Sequence, residues 1–299
     1  MGIIVLGTVA LDSVKTPFGR HKELLGGSAA HFSMAARLFT PVDLVAVVGK
    51  DFPGEHIRFL KSKGVNLDSL LIDQGKTFRW EGEYRGDLNT ALTLNTELGV
   101  LATFKPYISG RQSRIKNIFL ANVDPDIQRH LLGKMLNPEL IGLDSMNYWI
   151  NNKRKGLIAL LKHIDIYVAN DQEARLLSGE NNIIKAAKAL RKMGARMVLV
   201  KKGENGVLFY SDKFILSLPA YPVEGVVDPT GAGDTFAGGF MGYLARSGKI
   251  TPLVLKKALA YGTVAASFNI EDFGLNRTCR LKPQDLARRL NRFKECFLF

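Results

Sequence analysis

The run DPTGAGDTFAGGF, from Asp228 to Phe240, is the part of this 299-residue sequence that points most directly to a reaction. Its small residues predict a loop that turns into a helix at about Gly231, where the first amide N–H groups are left without partners. Such a helix start binds anions through these donors and through the positive end of the helix dipole. Asp234 falls in the first turn, where its carboxylate would repel a phosphate unless it has another task. Accepting a proton from an attacking alcohol is such a task.

The same run also has a purely structural interpretation. Asp234 could cap the helix, and the glycines that follow it could allow the helix to pack closely on a sheet. Two other polar segments also allow either a structural or a functional interpretation. Asp12 follows an apolar run and fits a turn that ends a strand, while Asn170 and Glu173 fit an Asn-capped helix start. The residues alone leave both interpretations standing.

Several common catalytic motifs are missing from the sequence. No GxxxxGK[ST] phosphate loop occurs, and Phe236 stands where a dinucleotide-binding GxGxxG would have its third glycine. The five histidines form no HExxH pair, and there is no GxSxG nucleophile turn. These observations argue against a P-loop NTPase, a Rossmann oxidoreductase, a zincin and a serine hydrolase.

Composition and charge are those of an ordinary folded protein, with 46% hydrophobic and 23% charged residues. The net charge of +13 is concentrated in two segments, residues 185–202 and the tail from Arg277. In both, apolar residues recur at helical spacing, which predicts amphipathic helices with basic outer faces. No zinc-finger spacing or aromatic RNA-binding run accompanies the charge, so we expect no nucleic-acid partner.

No membrane partner is expected either. The apolar stretches are interrupted by charge well before about 18 residues, the length that a spanning helix needs. No basic region precedes the first apolar run, and Leu6 stands where a myristoylation motif requires Ser or Thr. Cys279 and Cys296 form neither a disulfide framework nor a metal knuckle. We therefore expect a cytoplasmic protein with free thiols.

An alternation of strand and helix patterns connects these segments. Apolar, β-branched runs typical of strands buried on both faces begin at Ile3, Asp43, Asn117, Glu139, Ile164 and Arg196. Helical patterns lie near residues 28–38, 54–63, 126–135, 154–162, 170–193, 232–246, 252–268 and 284–296. This alternation predicts an α/β fold with a doubly wound, mostly parallel sheet.

Two regions depart from that alternation. Residues 70–104 mix aromatic and Thr-rich strand patterns with Gly and Asn-Thr breaks, which predicts antiparallel strands away from the main sheet. Residues 10–25 predict a hairpin that joins the same small sheet. Phe78 and Trp80 occupy alternate positions of one strand and should face the same side.

The run from Asp228 to Phe240 closely resembles the C-terminal signature of the PfkB, or ribokinase-like, family of carbohydrate and nucleoside kinases. GGSAAH from Gly26, followed by the helical FSMAARLF, is similar to the family's diglycine motif, and NDQE from Asn170 to its N-x-x-E motif. With Asp12 and KKGENG in the usual order, the resemblance covers almost the whole chain. It implies one ribokinase-like domain over residues 1–299, in which strands near 10–25 and 70–104 form a small β-sheet lid.

The resemblance implies an ATP-dependent kinase that transfers the γ-phosphoryl group to a hydroxyl of a small sugar. Asp234 would be the general base, and the amides of Gly231, Ala232 and Gly233 would hold the charge that develops during transfer. Asn170 and Glu173 would help to place Mg²⁺, mainly through its waters.

Nucleotide and cation contacts follow from the same resemblance. The residues expected to bind the nucleotide, besides Asn170 and Glu173, are Gly203, Gly206, Thr230 and Asn269. A tight GENG turn between two strands explains the two glycines without any ligand. Asp228 matches a position that in some relatives belongs to a monovalent-cation loop, so K⁺ is a further candidate ligand.

On the acceptor side, Asp12 would bind substrate hydroxyls, with Gly26 and Gly27 letting the backbone come close. His31 stands where relatives often carry Asn, and the different donors of His leave the identity of the sugar open. Trp80 of the lid would face the substrate or a second subunit, because a small exposed sheet edge favours a homodimer. The alternatives are a nucleoside kinase, whose base would stack on lid aromatics, and a non-catalytic sugar- or nucleotide-binding regulator.

Overall fold

The computed structural model describes residues 2–296, which form thirteen strands and ten α-helices. The strands are β1 (Ile3–Leu6), β2 (Ala10–Thr16), β3 (Gly19–Gly26), β4 (Val42–Gly49), β5 (Val65–Asp73), β6 (Arg79–Tyr84), β7 (Ala91–Glu97), β8 (Asn117–Leu120), β9 (Leu140–Asp144), β10 (Ile166–Asn170), β11 (Met197–Lys201), β12 (Val207–Tyr210) and β13 (Ile215–Leu218). The helices are α1 (Ser28–Ala36), α2 (Gly54–Ser62), α3 (Pro125–Leu132), α4 (Asn147–Asn152), α5 (Arg154–Leu161), α6 (Asp171–Ser178), α7 (Ile183–Lys192), α8 (Ala232–Ser247), α9 (Pro252–Asn269) and α10 (Pro283–Glu295).

The main sheet has nine strands in the order β13-β12-β11-β10-β9-β8-β1-β4-β5. Neighbouring strands are parallel from β11 to β5, and β12 and β13 are added antiparallel at one edge. Both faces are covered: Ile3 and Val5 of β1 belong to one apolar cluster and Ile4 and Leu6 to the other. Helices α1, α8 and α9 pack in the first cluster, and α3, α5, α6 and α7 in the second. The predicted doubly wound sheet is confirmed.

The single helix predicted over residues 170–193 is wrong, because the chain forms two helices there. Gly179 ends α6 with a left-handed backbone (φ 77°), and Asn182 caps α7 by accepting from the amides of Ile184 and Lys185. Left-handed glycines and Asn caps are common helix boundaries. Helix α4 had no counterpart among the predicted helices.

The small sheet has four strands in the order β3-β2-β6-β7. Its pairs β2-β3 and β6-β7 are antiparallel, as predicted, but β2 and β6 run parallel. The predicted range 70–104 was too wide: residues 70–73 belong to β5 of the main sheet, and residues 99–103 form a 3₁₀ turn. An apolar run and an aromatic run that are adjacent in sequence thus belong to different sheets.

The carboxyl ends of the parallel strands meet beneath the small sheet, together with the starts of α1 and α8. This edge is where open α/β sheets bind their ligands. Within residues 2–296, no helix is both long and apolar enough to cross a membrane.

Candidate active site

Two cavities open at this edge and share one wall, the loop before α8 and its first turn. The first cavity, of about 430 Å³, is bordered there by Gly231 and Asp234. The second, of about 540 Å³, is bordered by Ala232 and Gly233. The start of α8 therefore faces both cavities.

The start of α8 has free amide donors, but fewer than predicted. Gly231 precedes the helix with a left-handed backbone (φ 73°) and no side chain caps it. The N–H of Ala232 donates to the carbonyl of Pro229 at 3.1 Å, because the preceding residues form a turn. Within residues 2–296, the N–H groups of Gly231 and Gly233 have no acceptor. The expected three-amide anion site is thus a two-amide site in this conformation.

Asp228 shapes this loop from the inside. Its side chain is fully buried, Oδ1 accepts from the amide of Thr230 at 2.9 Å, and Oδ2 accepts from the amide of Gly274 at 2.9 Å. The part of the chain that the structure describes contains no cluster of three or more His, Cys, Asp or Glu able to hold a metal ion. The monovalent-cation role of Asp228 stays a prediction, and the contacts observed are those of a loop-forming residue.

Asp234 lies in the first turn of α8, where its surroundings favour the protonated acid. Burial raises its pKa, the charge of Asp144 raises it further, and Lys201 offsets part of this, so that the pKa is about 7. A carboxylate with a pKa near neutrality is a stronger base than an ordinary Asp. The position and the basicity of Asp234 both suit proton abstraction from an alcohol.

Lys201 and Asp144 form a pair beside Asp234 that the sequence analysis did not identify. Lys201 Nζ lies 2.8 Å from Asp144 Oδ2, at the carboxyl ends of β11 and β9. Although burial lowers the pKa of Lys201, the charges of Asp144, Glu173 and Asp234 raise it to about 12, so the lysine stays charged. A Cβ at Gly233 would lie 3.0 Å from Lys201 Nζ, which places the cation beside a free amide. The sequence signal that could have identified this pair is the charged residue at the end of each of the two apolar strand runs.

Asn170 and Glu173 form a complete capping box at the start of α6. Asn170 Oδ1 accepts from the amide of Glu173 at 2.7 Å, and Glu173 Oε2 accepts from the amide of Asn170 at 2.7 Å. Burial, together with the charge of Asp144, raises the pKa of Glu173 to about 8. Asn170 lines the second cavity, whereas Glu173 lies buried behind it. The capping interpretation is confirmed, and it does not prevent a water-mediated contact with a metal.

Gly203 and Gly206 line the second cavity and also form the predicted tight turn. Both have a positive φ, 54° and 79°, and a Cβ at Gly206 would lie 2.1 Å from the carbonyl oxygen of Leu218. The turn therefore needs glycine there whether or not a ligand is bound.

Asp12 lies at the floor of the first cavity, next to Gly26 and Gly27, which have different tasks. Asp12 Oδ2 accepts from the amide of Gly27 at 3.1 Å, and burial raises the pKa of Asp12 to about 7. A Cβ at Gly26 would lie 2.0 Å from Asp12 Oδ2, so Gly26 makes room for the carboxylate. Gly27 lines the cavity and Gly26 does not, so only Gly27 is placed where its backbone could meet a ligand, and the approach of Gly26 stays a prediction.

His31, also at this floor, is held by a buried hydrogen-bond network through Asn269. His31 Nδ1 lies 3.0 Å from Asn269 Oδ1, which also accepts from the hydroxyl of Thr235 at 2.9 Å, and Asn269 Nδ2 donates to the carbonyl of Thr230 at 2.8 Å. Asn269 is fully buried and lines neither cavity, and its predicted nucleotide contact stays a prediction. Thr230 borders the first cavity and not the second, and its assignment to the nucleotide also stays a prediction.

The upper end of the first cavity is aromatic. Phe78, Trp80 and Tyr84 of the small sheet all line it, and Tyr148 and Trp149 of α4 line it too. Trp80 Nε1 donates to the hydroxyl of Thr93 at 3.2 Å. No Lys or Arg is among the described residues that line this cavity. The first cavity thus combines carboxylates at its floor with apolar rings above them.

Comparisons with known proteins show which family this chain is similar to. The family model for pfkB family carbohydrate kinases matches residues 143–281. The chain is 30% identical over 252 residues to the cytidine kinase of Thermococcus kodakarensis, an alignment that covers 82% of this chain and 89% of the relative.

Two solved structures show the same fold. The nucleoside kinase of Methanocaldococcus jannaschii matches with a TM-score of 0.79 and 21% identity, over 98% of this chain and 99% of that one. The ribokinase of Arabidopsis thaliana, solved with ribose and ATP, matches with a TM-score of 0.77 and 21% identity, over 97% of this chain and 98% of that one.

Proposed function

This chain belongs to the PfkB family of carbohydrate kinases, phosphotransferases with a hydroxyl acceptor, and we propose that it transfers the γ-phosphoryl group of ATP to a nucleoside. The observation that carries the proposal is the wall shared by the two cavities. Gly231 and Asp234 border the first cavity, and Ala232 and Gly233 border the second. A phosphoryl donor in one and an alcohol in the other would meet at the start of α8.

The second cavity fits the phosphates of the nucleotide. Lys201 brings a positive charge to it, and the free amide of Gly233 and the Gly203–Gly206 turn line the same space. Amides at a helix start and a lysine are common phosphate ligands. Ala266 and Ser267 of α9 line this cavity, next to the position where a contact from Asn269 was predicted.

The residues around Lys201 also fit Mg²⁺. Asn170, Glu173 and Asp234 supply oxygen donors, and a magnesium ion in such sites keeps several waters and binds mainly through the substrate phosphates. When bound, the ion neutralises charge on the β- and γ-phosphates. A protein cage is not required, which agrees with the lack of a dense carboxylate cluster among residues 2–296.

At the floor of the first cavity, Asp234 accepts the proton of the attacking hydroxyl. Because its pKa is about 7, Asp234 is mostly ionised at a pH slightly above 7 and is then available to accept the proton. A carboxylate with this pKa also holds the accepted proton better than an ordinary Asp. The free amides of Gly231 and Gly233, together with Lys201, stabilise the charge that develops on the transferred phosphoryl group. Asp12 holds another hydroxyl of the acceptor.

The acceptor is uncharged and larger than a free sugar. Two carboxylates, Asp12 and Asp234, and no Lys or Arg among the described residues line its cavity, which disfavours a phosphosugar. The rings of Phe78, Trp80 and Tyr148 provide apolar surface that a nucleobase can stack on. A small sugar such as ribose is the second candidate, because the floor alone satisfies its hydroxyls.

We also propose a homodimer through the small sheet. Strand β7 is an edge strand, and its Leu92 and Leu94 are 50% and 51% exposed. A second copy would cover an edge that otherwise exposes both main-chain groups and leucines to solvent. Sedimentation would show a dimer for the wild type and a shift to monomer for Leu92→Lys; an unshifted monomer in both would contradict this proposal.

The function is tested by ADP release from Mg²⁺-ATP against cytidine, adenosine, ribose and ribose 5-phosphate, with Asp234→Asn as the control. We expect release with at least one nucleoside, little with ribose 5-phosphate and none in the variant. Activity with ribose alone would select the second candidate. ATP binding without ADP release on any acceptor would indicate the non-catalytic regulator.

A further inference from the structure

Tyr84 is the one residue within the described range 2–296 that borders both cavities. It is the last residue of β6, so its side chain comes from the small sheet and not from the start of α8. Phe78 and Trp80, which precede it along the chain, border the first cavity only. Tyr84 therefore lies at the boundary where a phosphoryl donor in one cavity and an alcohol in the other would meet.

The ring of Tyr84 is held between the small sheet and the rest of the fold. It is 8% exposed and packs in one apolar cluster with Val14, Leu88 and Phe273. Val14 belongs to β2 and Leu88 to the loop between β6 and β7, whereas Phe273 follows α9. A ring that is packed from both parts of the fold presents its hydroxyl in a fixed position.

The hydroxyl of Tyr84 reaches the loop that carries the free amides. It accepts a hydrogen bond from Thr230 Oγ1 at 3.4 Å, and Thr230 directly precedes Gly231. Within residues 2–296, the proton of the Tyr84 hydroxyl has no acceptor. A hydroxyl that accepts a hydrogen bond becomes a better donor, and a buried donor without an acceptor is costly. The phenol thus offers a proton to a group that the described part of the chain does not supply.

The phenol of Tyr84 stays protonated in this position. Burial raises its pKa above the ordinary value, and the charges of Asp228, Asp12 and Asp234 act in the same direction, although the hydrogen bond from Thr230 opposes them. Tyr84 is therefore a hydrogen-bond donor and not a base. Because three carboxylates affect its pKa, its hydroxyl lies within electrostatic range of the base Asp234 and of Asp12 at the floor.

The phosphoryl group needs such a donor, and the reacting alcohol does not. During transfer, the alcohol oxygen bonds to the γ-phosphorus, its proton passes to Asp234, and the bond to the bridging oxygen of ADP breaks with its electron pair. A hydrogen bond donated to the attacking oxygen would hold the lone pair that forms the new bond. The other three oxygens of the phosphoryl group carry negative charge and accept hydrogen bonds.

The donors described so far all come from the main-sheet side of this group. They are the free amides of Gly231 and Gly233 and the cation of Lys201. No Lys or Arg is among the described residues that line the first cavity, toward which the group moves. Tyr84 supplies a donor from the side of the small sheet, at the boundary that the group crosses.

We propose that Tyr84 is a further catalytic residue, whose phenol donates a hydrogen bond to the γ-phosphoryl group while this group passes from the second cavity to the first. Tyr84 keeps its own proton throughout. Since the group reaches the boundary only during transfer, the hydrogen bond stabilises the transition state more than bound ATP and so raises kcat. The inference rests on the proposed transfer from ATP, but not on which alcohol is the acceptor.

Tyr84→Phe tests this proposal, because it removes the hydroxyl and keeps the ring in its apolar cluster. We expect kcat to fall by roughly 10- to 100-fold, as for the loss of a hydrogen bond to a charged group. The Kd values of ATP and of the acceptor, measured by calorimetry, should stay within a few-fold. Mg²⁺-ADP with aluminium fluoride mimics the phosphoryl group in transit, and the affinity of this complex for the acceptor should fall by a factor similar to that of kcat. With a non-hydrolysable ATP analogue, the affinity for the acceptor should not fall.

A purely structural bond between Tyr84 and Thr230, which would only hold the small sheet in place, predicts a different pattern. Acceptor binding would then weaken equally with the ATP analogue and with the transition-state mimic. Arg79→Ala is the matched control, since the ion pair of Arg79 with Asp51 at 2.7 Å also joins the small sheet to the main sheet, and neither residue lines a cavity. Any loss of acceptor affinity in this variant should be equal in the two complexes.

The proposal would be overturned if kcat of Tyr84→Phe equalled that of the wild type, or if its acceptor affinity fell equally in both complexes. Thermal melting verifies the fold of each variant. If the wild type phosphorylates ribose and no nucleoside, the proposed acceptor has failed, and the same measurements with ribose still decide the role of Tyr84. A wild type that releases no ADP with any acceptor would overturn both proposals.

Discussion

The two ends of the first cavity are held in different ways. At the floor, Asp12 is 6% exposed and His31 1%, and each accepts or donates a hydrogen bond to a fixed partner. At the upper end, Tyr148 is 48% exposed, and Trp80 is held by one hydrogen bond to Thr93. Polar groups fixed by hydrogen bonds allow little adjustment, whereas aromatic rings accept many partners through their faces. In the proposed function, the floor would therefore specify the reaction and the sugar, and the upper end would specify what is attached to the sugar.

The largest effect should follow from removal of the base at the floor. Asp234→Asn keeps the volume but cannot take the proton, so kcat should fall by about 10²- to 10⁴-fold. The Kd values of ATP and of the nucleoside, measured by calorimetry, should stay within a few-fold. Turnover close to that of the wild type would show that another group is the base.

Lys201→Met removes the cation on the nucleotide side of the shared wall. Loss of one charge-stabilising donor should lower kcat/KM for ATP by about 10²- to 10³-fold. Because Asp144 then lacks its partner, the free energy of unfolding should also fall, by about 3 kcal/mol.

The matched control is the double variant Lys201→Met with Asp144→Asn, which removes the unpaired charge. Its stability in urea unfolding should recover, but its activity should not. Recovery of activity together with stability would show that Lys201 acts only on folding.

The raised pKa at the floor should be visible in the pH dependence of kcat/KM. Since Asp234 has a pKa of about 7 and acts as its carboxylate, kcat/KM should rise at least about tenfold per pH unit up to pH 7, and more steeply if Asp12, whose pKa is also about 7, must be ionised to bind the acceptor. Asp12→Asn should keep an acid limb of about tenfold per pH unit, because Asp234 is unchanged. A flat profile between pH 5 and 8 would disagree with a buried carboxylate base.

The smallest effect should come from the upper end. Trp80→Ala removes a stacking surface, so KM for the nucleoside should rise about tenfold, while kcat and the KM for ATP change little. Trp80→Phe keeps an aromatic face and should remain close to the wild type. An equal rise in KM for ribose, which has no base, would show that Trp80 contacts the sugar or shapes the lid.

Local motifs made much of this site predictable from sequence. The start of α8 with Gly231 and Asp234, and the capping box of Asn170 and Glu173, depend on residues within a few positions of each other. Their geometry follows from the hydrogen bonding of a helix start, and all the residues that take part lie in one short stretch of sequence. The alternating apolar runs likewise predicted the parallel sheet.

Contacts between distant segments were not predictable in this way. Asp144 and Lys201 are 57 residues apart and meet only because β9 and β11 flank β10 in the sheet. Asn269 directly follows the predicted helix over residues 252–268 and is the last residue of α9, but the side that it faces depends on how α9 packs on α8. The division of residues 70–104 between two sheets depends on pairing partners far along the chain. Tertiary packing determines which of these residues meet and which sheet a strand joins.

The proposed function requires the upper end of the first cavity to select a nucleoside and the floor to phosphorylate it. The most direct test is competition: equal concentrations of cytidine and ribose with limiting Mg²⁺-ATP, and the two phosphorylated products quantified by mass spectrometry. Their ratio equals the ratio of the two kcat/KM values. We predict at least about tenfold more nucleoside monophosphate, as expected for a stacked base. A product mixture dominated by ribose phosphate would contradict the account.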